Sequence, residues 1–395
     1  MTASIDKDGM AHAKFSASGS SRWINCPGSI KAEEGYPNTT SSAAEEGTFA
    51  HHLADLCLKY NKDADFYLGD DSLDDSDRVV EQDMCDYVQE YLDFVRAHLV
   101  DSECVLYTEE KVDFSHIAPA AFGTLDSCVI NPKEKKCDIF DLKYGKGIFV
   151  DAFENTQGML YGLGILNDLD FLYDIETITI HIVQPRMDNF SAYTLKVEDL
   201  KKFGKFAKSK AKLAISENPP RIPGEKQCGW CKAKANCKAL FDFTEKTIVA
   251  SFDNLDEELD PNNLSLEQKR SIMDNKKLIE DFFKSIESSV FELLYQGEEF
   301  PGYKLVRGKS NRQFTEAAEK ILIEKLGDKA YKPKQLIGIT DTEKLLGKEK
   351  DEIMPKITYK PEGKITLAVE GDGREPVIIT TAEDMFTNLD DEDDL

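Results

Sequence analysis

An α/β architecture, a mixed sheet flanked by helices, is what this sequence predicts, and three observations carry that expectation. Between residues 43 and 184 the hydrophobic period runs helix, helix, three strands, helix, strand, an order that builds a sheet covered by helices. The strand segments include strongly alternating stretches such as Thr177 to Gln184, TITIHIVQ, in which side chains two apart share a face. The chain has 395 residues, 41% hydrophobic and 10% aromatic, enough to bury one large core or several.

The elements follow in order. Ser16 to Trp23 is small and polar and leads into Asn25-Cys26-Pro27-Gly28-Ser29, which reads as a turn. Ala43 to Tyr60 places Phe49, Leu53, Leu56 and Tyr60 at helical spacing, and Val79 to Val100 puts Val80, Met84, Tyr87, Tyr91 and Val95 on one stripe. Strands are predicted at Val105 to Val112, Gly123 to Ile130 and Cys137 to Lys143, with the polar turn Asn131 to Lys136 between the last two. A helix over Thr156 to Leu166 precedes the strand Thr177 to Gln184, and further helices are expected over Lys196 to Glu217 and Leu264 to Tyr295. This divides the chain into an N-terminal segment (1–42), an α/β core (43–200), a basic Cys-rich segment (201–245), a C-terminal α+β extension (246–385) and an acidic tail (386–395).

Composition excludes several classes. A formal charge of −25 argues against a non-specific nucleic-acid coat, which needs clustered Lys and Arg. Yet Lys201 to Lys238 holds eleven basic residues against Glu217 and Glu225, a local cationic strip that is either a solvated helix face or a binding wall. The start MTASIDKDGMAHAKF predicts neither a secretory signal nor a transit peptide, and no run approaches a membrane span. A cytoplasmic location, without membrane partners, is therefore expected. There nine cysteines are buried side chains or metal ligands rather than a disulfide framework; Cys57, Cys85, Cys104, Cys128 and Cys137 sit in apolar-patterned elements and are expected in the core.

Four short patterns carry chemistry. Asp141 and Lys143 flank Leu142 on one strand, so a carboxylate and an ammonium project together while Leu142 points into the core; alone, such a triplet is as ordinary as a surface ion pair. Gly123-Thr-Leu-Asp126 places a second carboxylate on the preceding strand, where Asp126 and Asp141 are expected near opposite ends of neighbouring strands, facing one cation. Hard oxygen ligands favour Mg²⁺ or Mn²⁺. Gly47-Thr-Phe-Ala-His51 offers an imidazole, with Glu46 and His52 as competing candidates. Gln157 and Tyr161, four apart, share a helix face within an otherwise apolar segment.

In this order the set Gly-Thr-x-x-His, Gly-x-x-Asp, Asp-x-Lys and Gln-x-x-x-Tyr resembles the RecB-like branch of the PD-(D/E)XK nuclease superfamily. The Pro-Asp dipeptide of the superfamily is absent; Gly-x-x-Asp replaces it in that branch. The resemblance implies a restriction-endonuclease-like core and metal-dependent hydrolysis of DNA phosphodiesters. It implies His51, Asp126 and Asp141 as metal ligands, with Leu142 in the same metal-binding set, Lys143 as the catalytic lysine, and Gln157 and Tyr161 beside the strand to be cut.

Cys228-Gly-Trp-Cys231 and Cys237 form a C-x2-C-x5-C cluster that brings three thiolates to a centre and lacks a local fourth ligand. Spacing alone leaves Zn²⁺ and an iron-sulfur cluster open. Cys26 resembles the lone N-terminal cysteine that completes such a triplet in AddB-type and CRISPR-associated RecB-like nucleases, which implies a 4Fe-4S clasp over the nuclease core. Nearly the whole chain also resembles an uncharacterised phage and prophage family with these motifs. That likeness implies a DNA exonuclease of phage recombination or replication, acting beside a single-strand annealing or single-strand-binding protein. An endonuclease, and a non-catalytic DNA-binding or assembly protein of the same fold, are the alternatives. A second cationic patch is expected at Lys304, Arg307, Lys309 and Arg312, and the acidic end, Asp390 to Leu395, reads as a solubilising tail, with competition for the basic groove as the sharper alternative.

Overall fold

In the computed structural model, residues 4–5, 11–12, 14–37, 41–74, 78–249 and 264–306 are described, together with positions 347 and 354. The chain divides into two units, Met1–Val306 and Arg307–Leu395, and the elements named below belong to the first. Arg307, Lys309, Arg312 and the acidic tail lie outside the described residues.

A five-stranded mixed sheet forms the centre. Its strands are β1 (Val105–Asp113), β2 (Phe122–Asn131), β3 (Lys136–Leu142), β4 (Thr177–Gln184) and β5 (Asn189–Lys196), in that spatial order. All neighbours are antiparallel except β3 and β4, whose parallel ladder runs from Lys136↔Thr177 to Leu142↔Val183. A parallel pair needs a crossover, and α1 (Thr156–Tyr173) supplies it. This helix runs seven residues beyond the predicted end at Leu166. β5 carries no strong hydrophobic alternation in sequence and escaped prediction; it is an edge strand whose exposure does alternate, with Asn189, Ser191, Tyr193 and Leu195 on the covered row, but three of those four are polar or amphipathic, so the period does not show as hydrophobicity.

Helices cover both faces. On one side α1 and α2 (Val197–Ala214) bury Leu160, Leu163, Leu200, Ala207 and Ala211 against Cys128, Ile130, Ile139, Ile178 and Ile180. On the other, α3 (Ser42–Lys59) and α4 (Gln82–Arg96) pack Phe49, Leu53, Val88, Tyr91 and Leu92 on Val129, Phe140, Leu142 and Val183. Phe15, Trp23 and Ile24 enter the first of these cores, so the polar stretch ahead of Cys26 is a docked segment that includes a short helix, Ser20–Asn25.

Two further expectations change. The helix predicted from Leu264 to Tyr295 breaks at Asn275 into α5 (Leu266–Asp274) and α6 (Lys276–Tyr295). Asn275 takes a non-helical conformation with its side chain bonded back to the Ser271 carbonyl, a local alternative that the amide offers the backbone. Cys104 lies only half-buried in the turn before β1, its thiol against Asp101; Cys57, Cys85, Cys128 and Cys137 are buried in the core.

Candidate active site

The site lies where β2 and β3 part. Their ladder runs from Asn131↔Lys136 to Ser127↔Phe140, and one more step of that register sets Asp126 beside Asp141. The two carboxylates are therefore lateral neighbours across the antiparallel pair. At this step the regular bonding stops, and the Leu142 N–H donates instead to Asp126 Oδ2 at 2.7 Å. Side-chain alternation also shifts here. Tyr107, Cys128 and Ile130 pack with the first core and Leu106 and Val129 with the second, yet past Glu109 and Asp126 it is Val112 and Leu125 that join the first. The irregularity brings Asp126 within reach of a helix on the far face.

That helix is α3. The Ser41 side chain caps it by accepting from the Ala44 N–H, and its buried Phe49, Ala50 and Leu53 fix its rotation. His51 then meets Asp126 Oδ1 through Nδ1 at 3.1 Å. The competitors point elsewhere: Glu46 pairs with Arg186 at 2.9 Å, and His52 stands 4.0 Å from Asp74. Burial pushes the His51 imidazole down, but the charge and hydrogen bond of Asp126 outweigh it and hold the ring above its ordinary value. Burial likewise pushes Asp126 up, and His51, Lys143 and the Leu142 N–H together bring it below the usual carboxylate range.

Asp141 is 2% exposed. Its Oδ2 lies 2.7 Å from Lys143 Nζ as an ion pair but without hydrogen-bond alignment, while Oδ1 accepts from Gln157 Nε2 at 3.0 Å. Gln157 Oε1 in turn accepts from Lys143 at 3.3 Å, and its amide donates to the Tyr161 hydroxyl at 3.1 Å. Burial raises the Asp141 carboxyl, and Asp126 adds to that against the pull of Lys143. Burial lowers Lys143, but Asp141 and Asp126 outweigh it, so the ammonium is held charged. Burial, then the two carboxylates, drive the Tyr161 phenol well above its usual value, so it is a neutral hydroxyl. Leu142 contributes backbone alone, since its side chain is fully buried.

Local sequence explains this placement. The Asn155 side chain accepts from the Gly158 N–H at 3.1 Å and starts α1 just before Gln157. Gly158 lets the helix press on Ile180 of β4, where any Cβ would collide. The glycine of Gly-x-x-Asp has a similar reason: a Cβ on Gly123 would stand 2.8 Å from Tyr161 Cε1.

His51 and Asp126 supply an imidazole and a carboxylate that suit a hard divalent cation, with Asp141 on the neighbouring strand outside their close ligand group and its oxygens engaged by Lys143 and Gln157. Like-charged carboxylates side by side are a feature such an ion relieves. Sequence reading missed Glu109 on β1, whose carboxyl, with His51 and Asp126, forms one of two groups of ligand atoms lying within 4.8 Å of one another among the described residues. Burial and then Asp126 push Glu109 up to about 7. Its only sequence signal was an acid on the strand preceding Asp126. Also unforeseen are Ile148, Phe149 and Phe153, exposed on the loop between Lys143 and α1.

A second assembly gathers the predicted cysteines. Cys26, Cys228, Cys231 and Cys237 line one hollow together with Ala233 and Leu240. The Gly28 N–H donates to the Pro220 carbonyl at 2.8 Å, and the Ile222 N–H meets the Cys26 sulfur at 3.3 Å, which fastens the N-terminal segment to the Cys-rich one. Burial pushes the Cys231 thiol up to about 12 and also raises Cys26 and Cys228, with the neighbouring thiols adding to it. No cysteine belongs to either of the tight three-ligand groups. The lysines at 201, 202, 205, 208 and 212 stand exposed on α2, opposite its buried alanines.

Among known proteins, a family model described as "Protein of unknown function (DUF2800)" matches residues 12–375. A solved structure described as "Crystal structure of SSO0001" is similar at 13% identity over 58% of this chain and 88% of that one, with a TM-score of 0.27. No helix among the described residues is long and apolar enough to cross a membrane.

Proposed function

We propose that this chain, which belongs to the family described as "Protein of unknown function (DUF2800)", is a divalent-cation-dependent deoxyribonuclease with a RecB-like PD-(D/E)XK site, acting as an exonuclease. The observation that carries the reading is the juxtaposition of two bonded groups, His51 with Asp126 and Lys143, Gln157 and Tyr161 around Asp141, which the Leu142 N–H joins by donating to Asp126, since these residues come from α3, β2, α1 and the end of β3. Asp126, Asp141 and His51, with the Leu142 backbone, would hold Mg²⁺ or Mn²⁺. Such an ion supplies Lewis acidity to a phosphate oxygen and makes water a better nucleophile at neutral pH.

The chain's own groups do the rest. Lys143, fixed between Asp141 and Gln157, offers a permanent positive charge to the negative charge that builds on phosphate oxygens. Gln157 holds Asp141 and Lys143 in register, and the neutral Tyr161 hydroxyl is a donor that adds no charge near the phosphate. The exposed apolar loop after Lys143 suits stacking against unpaired bases, and the α2 lysines suit a phosphate path. The four cysteines that line one hollow would hold an iron-sulfur cluster as a structural clasp, with zinc as the alternative.

The decisive experiment is digestion of end-labelled linear DNA with Mg²⁺ or Mn²⁺ by protein purified without oxygen and assayed for iron and zinc. Asp141→Ala and Lys143→Ala are expected to lower cleavage by about a thousandfold or more while DNA binding survives. Undiminished digestion by either variant removes the assignment. Covalently closed circular DNA should resist; its cleavage would make the enzyme an endonuclease. Binding without cleavage under every condition would favour an assembly protein.

A further inference from the structure

Glu109 occupies the middle of β1 with φ of +46°, out of step with the strand on either side. The register pairs Thr108 with Ser127 and Glu110 with Leu125, which leaves Glu109 facing Asp126 across the gap. Three strands thus set Glu109, Asp126 and Asp141 in a row. Like charges opposite one another on neighbouring strands are unfavourable, and nearby cations are already engaged: Lys143 with Asp141 and Arg186 with Glu46. Although Glu109 is exposed on this edge strand, its carboxyl lies with the His51 nitrogen and Asp126 oxygen, all within 4.8 Å of one another.

We propose that Glu109 is itself a ligand of the site's divalent cation, so that the ion is held by donors from β1, β2, β3 and α3. This rests on the reading of the site given above. Three carboxylates and an imidazole make a harder, more negative cradle than the four sequence patterns describe, and the imidazole favours Mn²⁺ over Mg²⁺.

The test is Mn²⁺ titration of the full-length protein, freed of divalent cations, followed by the electron paramagnetic resonance signal of unbound Mn²⁺. Wild type and Glu110→Gln, which alters the neighbouring exposed acid, are expected to bind alike. Glu109→Gln should bind at least tenfold more weakly with its cation-free melting temperature unchanged. Glu109→Ala covers the case in which the amide oxygen still ligates or the first variant folds poorly, and should show the same loss. Wild-type affinity in both variants overturns the role of Glu109 and leaves the nuclease reading intact. Failure of the wild type to take up Mn²⁺ overturns both.

Discussion

The carboxylate site and the cysteine hollow both gather residues remote in sequence, but they are held in opposite ways. His51 is bonded to Asp126, and Lys143, Gln157 and Tyr161 form a bonded chain around Asp141, the two groups joined through the Leu142 N–H, and strands and helices with large cores of their own position them. The four cysteines share a hollow, with the Cys26 sulfur bonded to the Ile222 N–H, and rest on a small cluster of Cys228, Leu240, Leu278 and Phe282. One site is organised before any ligand arrives. The other is a space whose walls a ligand would have to tie together, because small cores contribute little stability of their own.

The largest expected effect tests this difference. Replacing Cys26 or Cys237 by Ser should lower the melting temperature by roughly 10 °C, about 3–4 kcal/mol for a domain of this size, and should speed amide exchange from Glu225 to Val249. Removing divalent cations should abolish cleavage and lower the melting temperature by only a few degrees, since an ion bound to the folded state adds stability but the walls of its site are already fixed. Equal thermal responses to the two treatments would erase the contrast.

A smaller effect probes how tightly the first site is built. Gly123→Ala pushes a methyl group against Tyr161 and should cost about 1–3 kcal/mol by overpacking, read in urea unfolding. Because Tyr161 and Gln157 are bonded, cleavage should fall as well. Loss of stability with full activity would mean that the tyrosine need not stay in place.

The smallest effect comes from a polar cluster on β3 that faces away from Asp141. Asp138 on β3 accepts from Lys136 and pairs with His181, at 3.0 and 2.9 Å. Burial raises its carboxyl, but His181 and Lys136 outweigh that and hold it below the usual range. A depressed carboxylate stabilises the fold above its unfolded value of about 3.9 and loses that contribution as the pH falls through its folded value. Asp138→Asn should therefore be less stable than wild type by about 1–2 kcal/mol near neutrality, and the gap should close on acidification below about pH 4. A gap that stays constant down to pH 2 would show that the pairing is not electrostatic.

Much of this molecule is legible along the chain. The strand Thr177–Gln184 falls where its alternation puts it, and the two helices of residues 42–96 appear within a few residues of their stripes, because burial on one face imposes a period that survives in sequence. The pairing of Asp141 with Lys143 follows from spacing, since Asp141 lies on β3 and Lys143 one residue past its end, where its N–H still bonds to the Val183 carbonyl. Edges and breaks were harder to read. β5 has little to bury, Asn275 divides a continuous apolar pattern, and Ser20–Asn25 is too short to show a period.

By itself, the sequence determined the periods, the order of the elements and the residue types able to hold a cation or a cluster, because these depend on neighbours a few positions apart. Only the tertiary structure decided that Asp126 stands beside Asp141, that His51 rather than Glu46 or His52 meets it, and that Glu109 joins them. Those choices turn on one local departure from the β2–β3 ladder and on the rotation of α3, which the packing of distant side chains sets and no short window of residues contains.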